Sequence, residues 1–137
     1  MEILYAGLPP FASITQMMQR LRLTARAIRF YEERGLIEVA RDRQNWRRYD
    51  RKAQARLAMI AICRQAGLSL TDASEILDVD GEGRSAQFSV ARQKLAKRLE
   101  ALENDRRNIE KLMTVLEDAP GPETYPGQTQ NVNRLSA

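Results

Sequence analysis

Two helix-start signals and a stop crowd into residues 13 to 35, and that crowding limits the fold more than any other feature of the chain. Ser13 followed by Gln16 fits a capping box, in which each side chain satisfies a backbone donor at the other's position. Ile14, Met17, Met18 and Leu21 then form an apolar stripe at helical spacing, so a short helix is expected over residues 14 to 21. Thr24 can cap a second helix running to about Arg34, and Gly35 suits the left-handed position that ends one. Two short helices separated by so few residues make a helix-turn-helix unit.

The second helix carries the chemistry. Arg26, Arg29 and Glu33 stand three and four residues apart and share one face, while Ile28 and Tyr31 fall on other faces and can pack inward. A guanidinium matches guanine edges and phosphates with two parallel hydrogen bonds, and the start of a helix offers free amides to phosphate. Taken alone, this helix is equally an ordinary surface helix with two arginines. Its neighbour decides the reading. After the apolar run of Leu36, Ile37 and Val39, residues 41 to 48 hold Arg41, Arg43, Arg47 and Arg48 around Trp46. Asn45 tolerates positive φ, so a tight hairpin is expected, forming a basic wing beside the reading helix. Trp46 is expected to pack against the adjoining helices, the alternative being a stack on a sugar or base.

Charge is divided along the chain in the same way. Residues 13 to 68 contain thirteen Lys and Arg against five Asp and Glu, a net of +8, whereas residues 69 to 137 contain nine against twelve, a net of −3. Only the first half is therefore expected to face a polyanion. The chain has 137 residues, 43% of them apolar, enough for one domain and an extension. With no histidine and one cysteine, Cys63, it cannot form an intrachain disulfide and lacks the usual metal ligands and catalytic bases. Cys63 is expected to be a small buried hydrophobe. No stretch approaches the roughly 18 apolar residues of a membrane span, so a cytoplasmic protein is expected, with no catalytic residues, no metal site and no cofactor.

Asp50 can cap a third helix over about residues 51 to 66, with Leu57, Ile60 and Cys63 on its core side and Gly67 at its end. Ser69 with Asp72 marks a fourth helix over about residues 70 to 78. The segment DVDGEGRS, residues 78 to 85, alternates acidic residues as a calcium loop begins, but Ser89 stands where that loop needs a bidentate glutamate, so a solvated turn is expected. Beyond it, Phe88, Arg92, Leu95, Leu99, Leu102, Arg106, Ile109, Met113 and Leu116 follow alternating steps of four and three, the seam of two paired helices. Because four upstream helices can already bury one another, this stripe is expected to dimerise rather than pack on its own domain. From Ala119 the chain turns to Pro, Gly and amide residues and is expected to be a mobile tail.

The stretch ITQMMQRLRLTARAIRFYEERGLIEVARDRQNWRRYD, followed by AGLSLTDASEIL, resembles the MerR family of bacterial transcription regulators over residues 13 to 78. The motif is specific: a two-helix reader ending in Arg-aromatic-Tyr-Glu, then Gly-Leu-Ile, then a wing ending in Arg-x-Tyr. The resemblance implies an all-α fold with a small β wing, a winged helix-turn-helix DNA-binding domain followed by a long dimerisation helix in an antiparallel coiled coil. It also implies a homodimer on an inverted repeat in double-stranded promoter DNA, acting by distorting that DNA, with RNA polymerase as a further partner.

By that resemblance, Thr24, Arg26 and Arg29 lie on the reading helix with Tyr31 near the phosphate backbone, Arg41 and Arg43 fall in the wing, and Arg47, Arg48 and Tyr49 close it. Leu95, Leu99, Leu102, Arg106, Ile109, Met113 and Leu116 would join the subunits. The expected organisation is an N-terminal arm over 1–12, the DNA-binding domain over 13–80, the dimerisation helix over 81–118 and the tail over 119–137. Two departures stand out: the family often has Gly in the turn between the two helices and at the wing tip, where this chain has Arg22 and Asn45. The metal-sensing members carry cysteines near the start of the long helix, where this chain has Ser85, Ala86 and Gln87, so thiolate sensing at that site is not expected. An excisionase-like DNA-bending protein, or a helical adaptor for an acidic protein, are the alternative readings.

Overall fold

The computed structural model describes residues 7–79 and 83–121, with 83 and 84 by backbone alone. In chain order the elements are β1 (Phe11–Ala12), α1 (Ile14–Leu21), α2 (Ala25–Glu33), β2 (Ala40–Arg41), β3 (Arg47–Asp50), α3 (Arg51–Gln65), α4 (Leu70–Leu77) and α5 (Gly83–Asp118). The arrangement is mostly helical with one small antiparallel sheet, as expected for the fold class.

Each helix of the first half starts on a side chain that satisfies a free backbone amide. Ser13 Oγ accepts from the Gln16 amide at 3.2 Å while Gln16 Oε1 accepts from the Ser13 amide at 2.8 Å, completing the capping box. Thr24 Oγ1 accepts from the Ala27 amide at 3.1 Å, Asp50 Oδ1 from Ala53 at 2.8 Å, and Ser69 Oγ from Asp72 at 3.0 Å. Gly35 ends α2 at φ +74°, turning the chain so that the Leu36 amide bonds back to the Tyr31 carbonyl at 3.0 Å. That return buries Leu36 and Ile37 against the core.

The sheet runs in the order β1-β3-β2, with Phe11 opposite Asp50 and Ala12 opposite Tyr49 on one side, and Ala40 opposite Arg48 and Arg41 opposite Arg47 on the other. The β2–β3 hairpin is the expected wing. Residues 11 and 12, expected in an N-terminal arm, form β1 and pair with β3. Gln54 explains why the arm is held. It is the buried polar side chain of the core, and its Nε2 donates to the Pro9 and Tyr49 carbonyls, both at 2.9 Å, while its Oε1 accepts from Arg20 at 3.2 Å. Burying an amide without those partners would cost about 1–3 kcal/mol, so one residue of α3 fixes β1, β3 and α1 together.

The core gathers Ile28 and Tyr31 of α2, Tyr49 of β3, Leu57 and Ile60 of α3, Ile76 and Leu77 of α4, and Ala91 of α5. Cys63 is buried as expected, and burial pushes its thiol pKa up.

The chain divides into two units, Met1–Leu99 and Glu100–Ala137, so the first part of α5 belongs with the winged unit. This division differs from the expected boundary at residue 80, because Phe88, Ala91 and Leu95 pack on the winged unit's core. The apolar stripe divides by exposure. Phe88 and Leu95 are partly buried on their own domain's core, while Leu99, Leu102, Ile109, Met113 and Leu116 are exposed. Two polar anchors hold the same part of α5: Lys94 Nζ reaches Asp72 Oδ1 at 3.0 Å and also Glu75, and Arg98 Nε donates to the Ala66 carbonyl at 3.3 Å. In the second unit every described side chain is exposed.

Residues 80–82 of the acidic turn and 122–137 of the expected tail lie outside the described residues, as do residues 1–6 of the arm. Among the described residues no helix is long and apolar enough to cross a membrane, and no group of His, Cys, Asp or Glu is placed to hold a metal ion.

Candidate DNA-binding surface

The turn between α1 and α2 sets the angle of the second helix. Arg22 occupies it at φ +55° and ψ +39°, a left-handed conformation that costs a side-chain-bearing residue roughly 1–2 kcal/mol. Thr24 follows as the N-cap of α2, exposed, with its hydroxyl bound to the helix. From there α2 buries Ile28 and Tyr31 and turns Arg26 and Arg29 outward. Neither arginine makes a hydrogen bond or ion pair among the described residues, so both guanidiniums keep their full donor capacity.

Asp42 organises the wing. Its Oδ1 accepts from the Gln44 amide at 2.9 Å and the Trp46 amide at 3.0 Å, and its Oδ2 from Arg48 Nε at 3.2 Å. The Trp46 amide leads the interactions that hold the Asp42 carboxyl below its ordinary pKa. Asn45 takes the left-handed turn at φ +65°, as expected, and its carbonyl accepts from the Arg41 guanidinium at 3.0 Å. Asp42 was not among the expected site residues, although an aspartate opening a turn commonly accepts from the amide two residues on, as it does here from Gln44.

Four of the wing's expected contact residues have distinct surroundings. Arg43 is exposed and unpaired among the described residues, whereas Arg41 and Arg48 are exposed but partly engaged within the wing. Arg47 points the other way. Its Nε lies 2.8 Å from Glu32 Oε2 of α2, and that carboxylate raises the arginine's pKa. Arg47 thus fastens the wing to the helix rather than offering a free cation.

Both tyrosines, expected among the DNA contacts, pack into the core. Tyr31 is 6% exposed and Tyr49 fully buried, with its hydroxyl unpaired among the described residues and its pKa raised by burial first and by Glu32 second. The period of β3 is the reason: Arg48 and Tyr49 face opposite sides, and the pairing with Ala12 turns Tyr49 inward. Trp46 is the reverse case. Expected to pack on the helices, it is 67% exposed and borders an open cleft with Ser13, Ile14 and Thr15 at the start of α1. Exposed guanidiniums on α2 and on the wing, together with an exposed indole, are suited to phosphates and base edges.

Comparison with known proteins follows the same lines. Residues 12–79 match the family described as "MerR HTH family regulatory protein", and residues 54–119 match "MerR, DNA binding". The chain is 27% identical over 116 residues to the HTH-type transcriptional regulator CueR of Salmonella typhi, covering 82% of this chain and 84% of that one. It is 38% identical over 60 residues to a SoxR homolog of Chromobacterium violaceum, an HTH-type transcriptional activator, covering 44% of this chain and 40% of that one. Among solved structures, a MerR family transcriptional regulator from Bacillus thuringiensis superposes with a TM-score of 0.58 at 22% identity, covering 80% of this chain and 99% of that chain. HiNmlR, a MerR family regulator lacking the sensor domain and bound to promoter DNA, gives 0.55 at 18% identity, covering 93% and 92%.

Proposed function

The chain belongs to the MerR family of helix-turn-helix regulators and is a DNA-binding transcription regulator rather than an enzyme, and from that premise we propose that it acts as a homodimer on an inverted repeat in promoter DNA. Arg26 and Arg29 of α2 enter the major groove, with Thr24 at the helix start beside a phosphate. Arg41, Arg43 and Arg48 of the wing meet the backbone, and Trp46 lies against a sugar. Arg47, Tyr31 and Tyr49 support this surface from behind.

The observation that carries the reading is the pair of exposed, unpartnered guanidiniums on one helix beside a basic wing fastened to that helix. The exposed stripe of Leu99, Leu102, Ile109, Met113 and Leu116 supports the dimer, with Arg106 interrupting it as a polar residue that sets register. Arg106 stands 3.8 Å from Glu110 of its own helix, an exposed pair that contributes little to stability. Two winged units joined this way would bend and untwist the DNA between half-sites, aligning promoter elements for RNA polymerase in the cytoplasm; contact energy offsets the deformation.

A salt titration of operator binding tests the reader. Arg29→Ala should weaken binding and flatten its salt dependence, because a cation facing the polyanion is lost from the groove. A variant matching the parent at every salt concentration would remove Arg29 from the interface.

A further inference from the structure

A groove of about 510 Å³ runs beside α2 where the end of α3 and the start of α4 approach it, lined by Arg26, Ala27, Phe30, Tyr31, Arg64 and Leu70, with Thr24 at one end. Its size falls in the roughly 300–1,000 Å³ range of small-molecule sites. The wall is largely apolar and aromatic. Phe30 keeps 40% of its surface exposed, with Tyr31 edge-on at 6.1 Å and the Arg34 guanidinium over one face of its ring, 5.0 Å from the ring centre.

Two cations complete the lining, and no carboxylate does. Arg26 has no partner among the described residues, and Arg64 spends one nitrogen on the Leu68 carbonyl at 2.9 Å, leaving the rest of its fork open. A neutral apolar guest would partly desolvate both guanidiniums and give them nothing in return. A bare inorganic anion would leave the aromatic wall wet. An aromatic ring bearing one carboxylate meets both demands, stacking on Phe30 and accepting charge-assisted hydrogen bonds from the arginines.

We infer that this groove is an effector site for small aromatic carboxylates. The site shares Arg26 with the proposed DNA-reading face, so an occupied groove and a bound operator compete for one guanidinium. Ligand and DNA therefore antagonise each other reciprocally. That antagonism rests on the reader assignment above, whereas binding of the carboxylate does not.

The test uses the full chain and 1-naphthoate as probe, with 2-methylnaphthalene and inorganic phosphate as controls for ring and charge alone. Calorimetry should show naphthoate binding in preference to either control. Arg64→Gln should weaken naphthoate about tenfold, the loss of one charge-assisted contact, and Leu70→Phe should fill the groove and abolish binding. Neither variant should alter operator affinity without naphthoate, and melting curves verify that both fold. Naphthoate should release operator from the parent and, at the same concentration, spare the Arg64→Gln complex. Binding that ignores both substitutions would overturn the site. So would an Arg64→Gln protein that binds operator weakly with a lowered salt slope, since the groove would then belong to the DNA footprint. Naphthoate binding with the expected residue dependence but no effect on operator would overturn the antagonism alone, and the Arg29→Ala titration tells whether the reader is at fault.

Discussion

Arg47 of the wing and Glu32 of α2 form a 2.8 Å ion pair that joins the β2–β3 hairpin directly to that helix. Each side chain is about a quarter exposed, so the pair is partly screened and should couple by about 0.5–1 kcal/mol in a double-mutant cycle of Arg47→Met and Glu32→Gln. The more telling readout is DNA. Glu32→Gln adds no negative charge and touches no proposed contact, yet it should lower operator affinity by freeing the wing. Unchanged affinity in Glu32→Gln would mean that the wing holds its place without the pair.

Arg22 sits in a left-handed turn where glycine carries no steric cost. Arg22→Gly should raise stability by up to about 1 kcal/mol, moving Tm upward by a few degrees, because relief of strain outweighs the entropy glycine adds to the unfolded chain. Arg22→Val should do the opposite, since a β-branched residue resists that conformation most. Thermal melts of the three proteins decide it, and a lower Tm for the glycine variant would show that the arginine side chain contributes contacts of its own.

Asp42 gives the wing an acid-sensitive joint. Its folded pKa is depressed, led by the Trp46 amide, so its stabilising effect is complete above the ordinary aspartate value near ~3.9 and is lost as pH falls through the lower folded value. Trp46 is the sole tryptophan, and its amide is bound to that carboxylate. Tryptophan fluorescence should be flat from neutral pH to about 4.5 and change below it as the wing loosens. Asp42→Asn should lack that transition, and an identical transition in the variant would assign it to another group.

The stripe of α5 should separate into two kinds of position. Leu95→Ala removes a side chain packed on the winged unit and should lower its unfolding free energy by about 2 kcal/mol, toward the low end for a leucine because the site is partly exposed. Ile109→Asp places a charge on the exposed stretch and should leave that unit folded while converting the protein to a monomer in analytical ultracentrifugation. An Ile109→Asp protein still sedimenting as a dimer would move the subunit interface elsewhere.

The helices were legible because their signals are local. Ser13 with Gln16, Thr24, Asp50, and Ser69 with Asp72 each act on amides within three residues, and Gly35 and Gly67 adopt the positive φ that ends their helices. Arg22 and Asn45 could be placed at turns from the family pattern, and both do take positive φ. What stayed hidden is set by tertiary contact. Phe11 and Ala12 are a strand only because β3 lies beside them, and Gln54 shows no pattern in the sequence that marks it as the residue binding the arm. Arg47 looks like any other wing arginine until Glu32 is found next to it. The heptad pattern of α5 gives a period, yet period alone does not say that Leu95 faces its own core while Ile109 faces solvent.

From Leu99 to the end of α5 every side chain is exposed, so among the described residues this stretch has no apolar interior to hold its helix. Helices in proteins draw most of their stability from packing an apolar face, so the order of this stretch would depend on meeting another copy. In a dimer of this design the number of molecules per cell becomes a signal in its own right. Diluted below its dissociation constant, the regulator would lose the joining helix and the two-site grip on DNA together. Synthesis and proteolysis could then switch its promoters with no ligand involved.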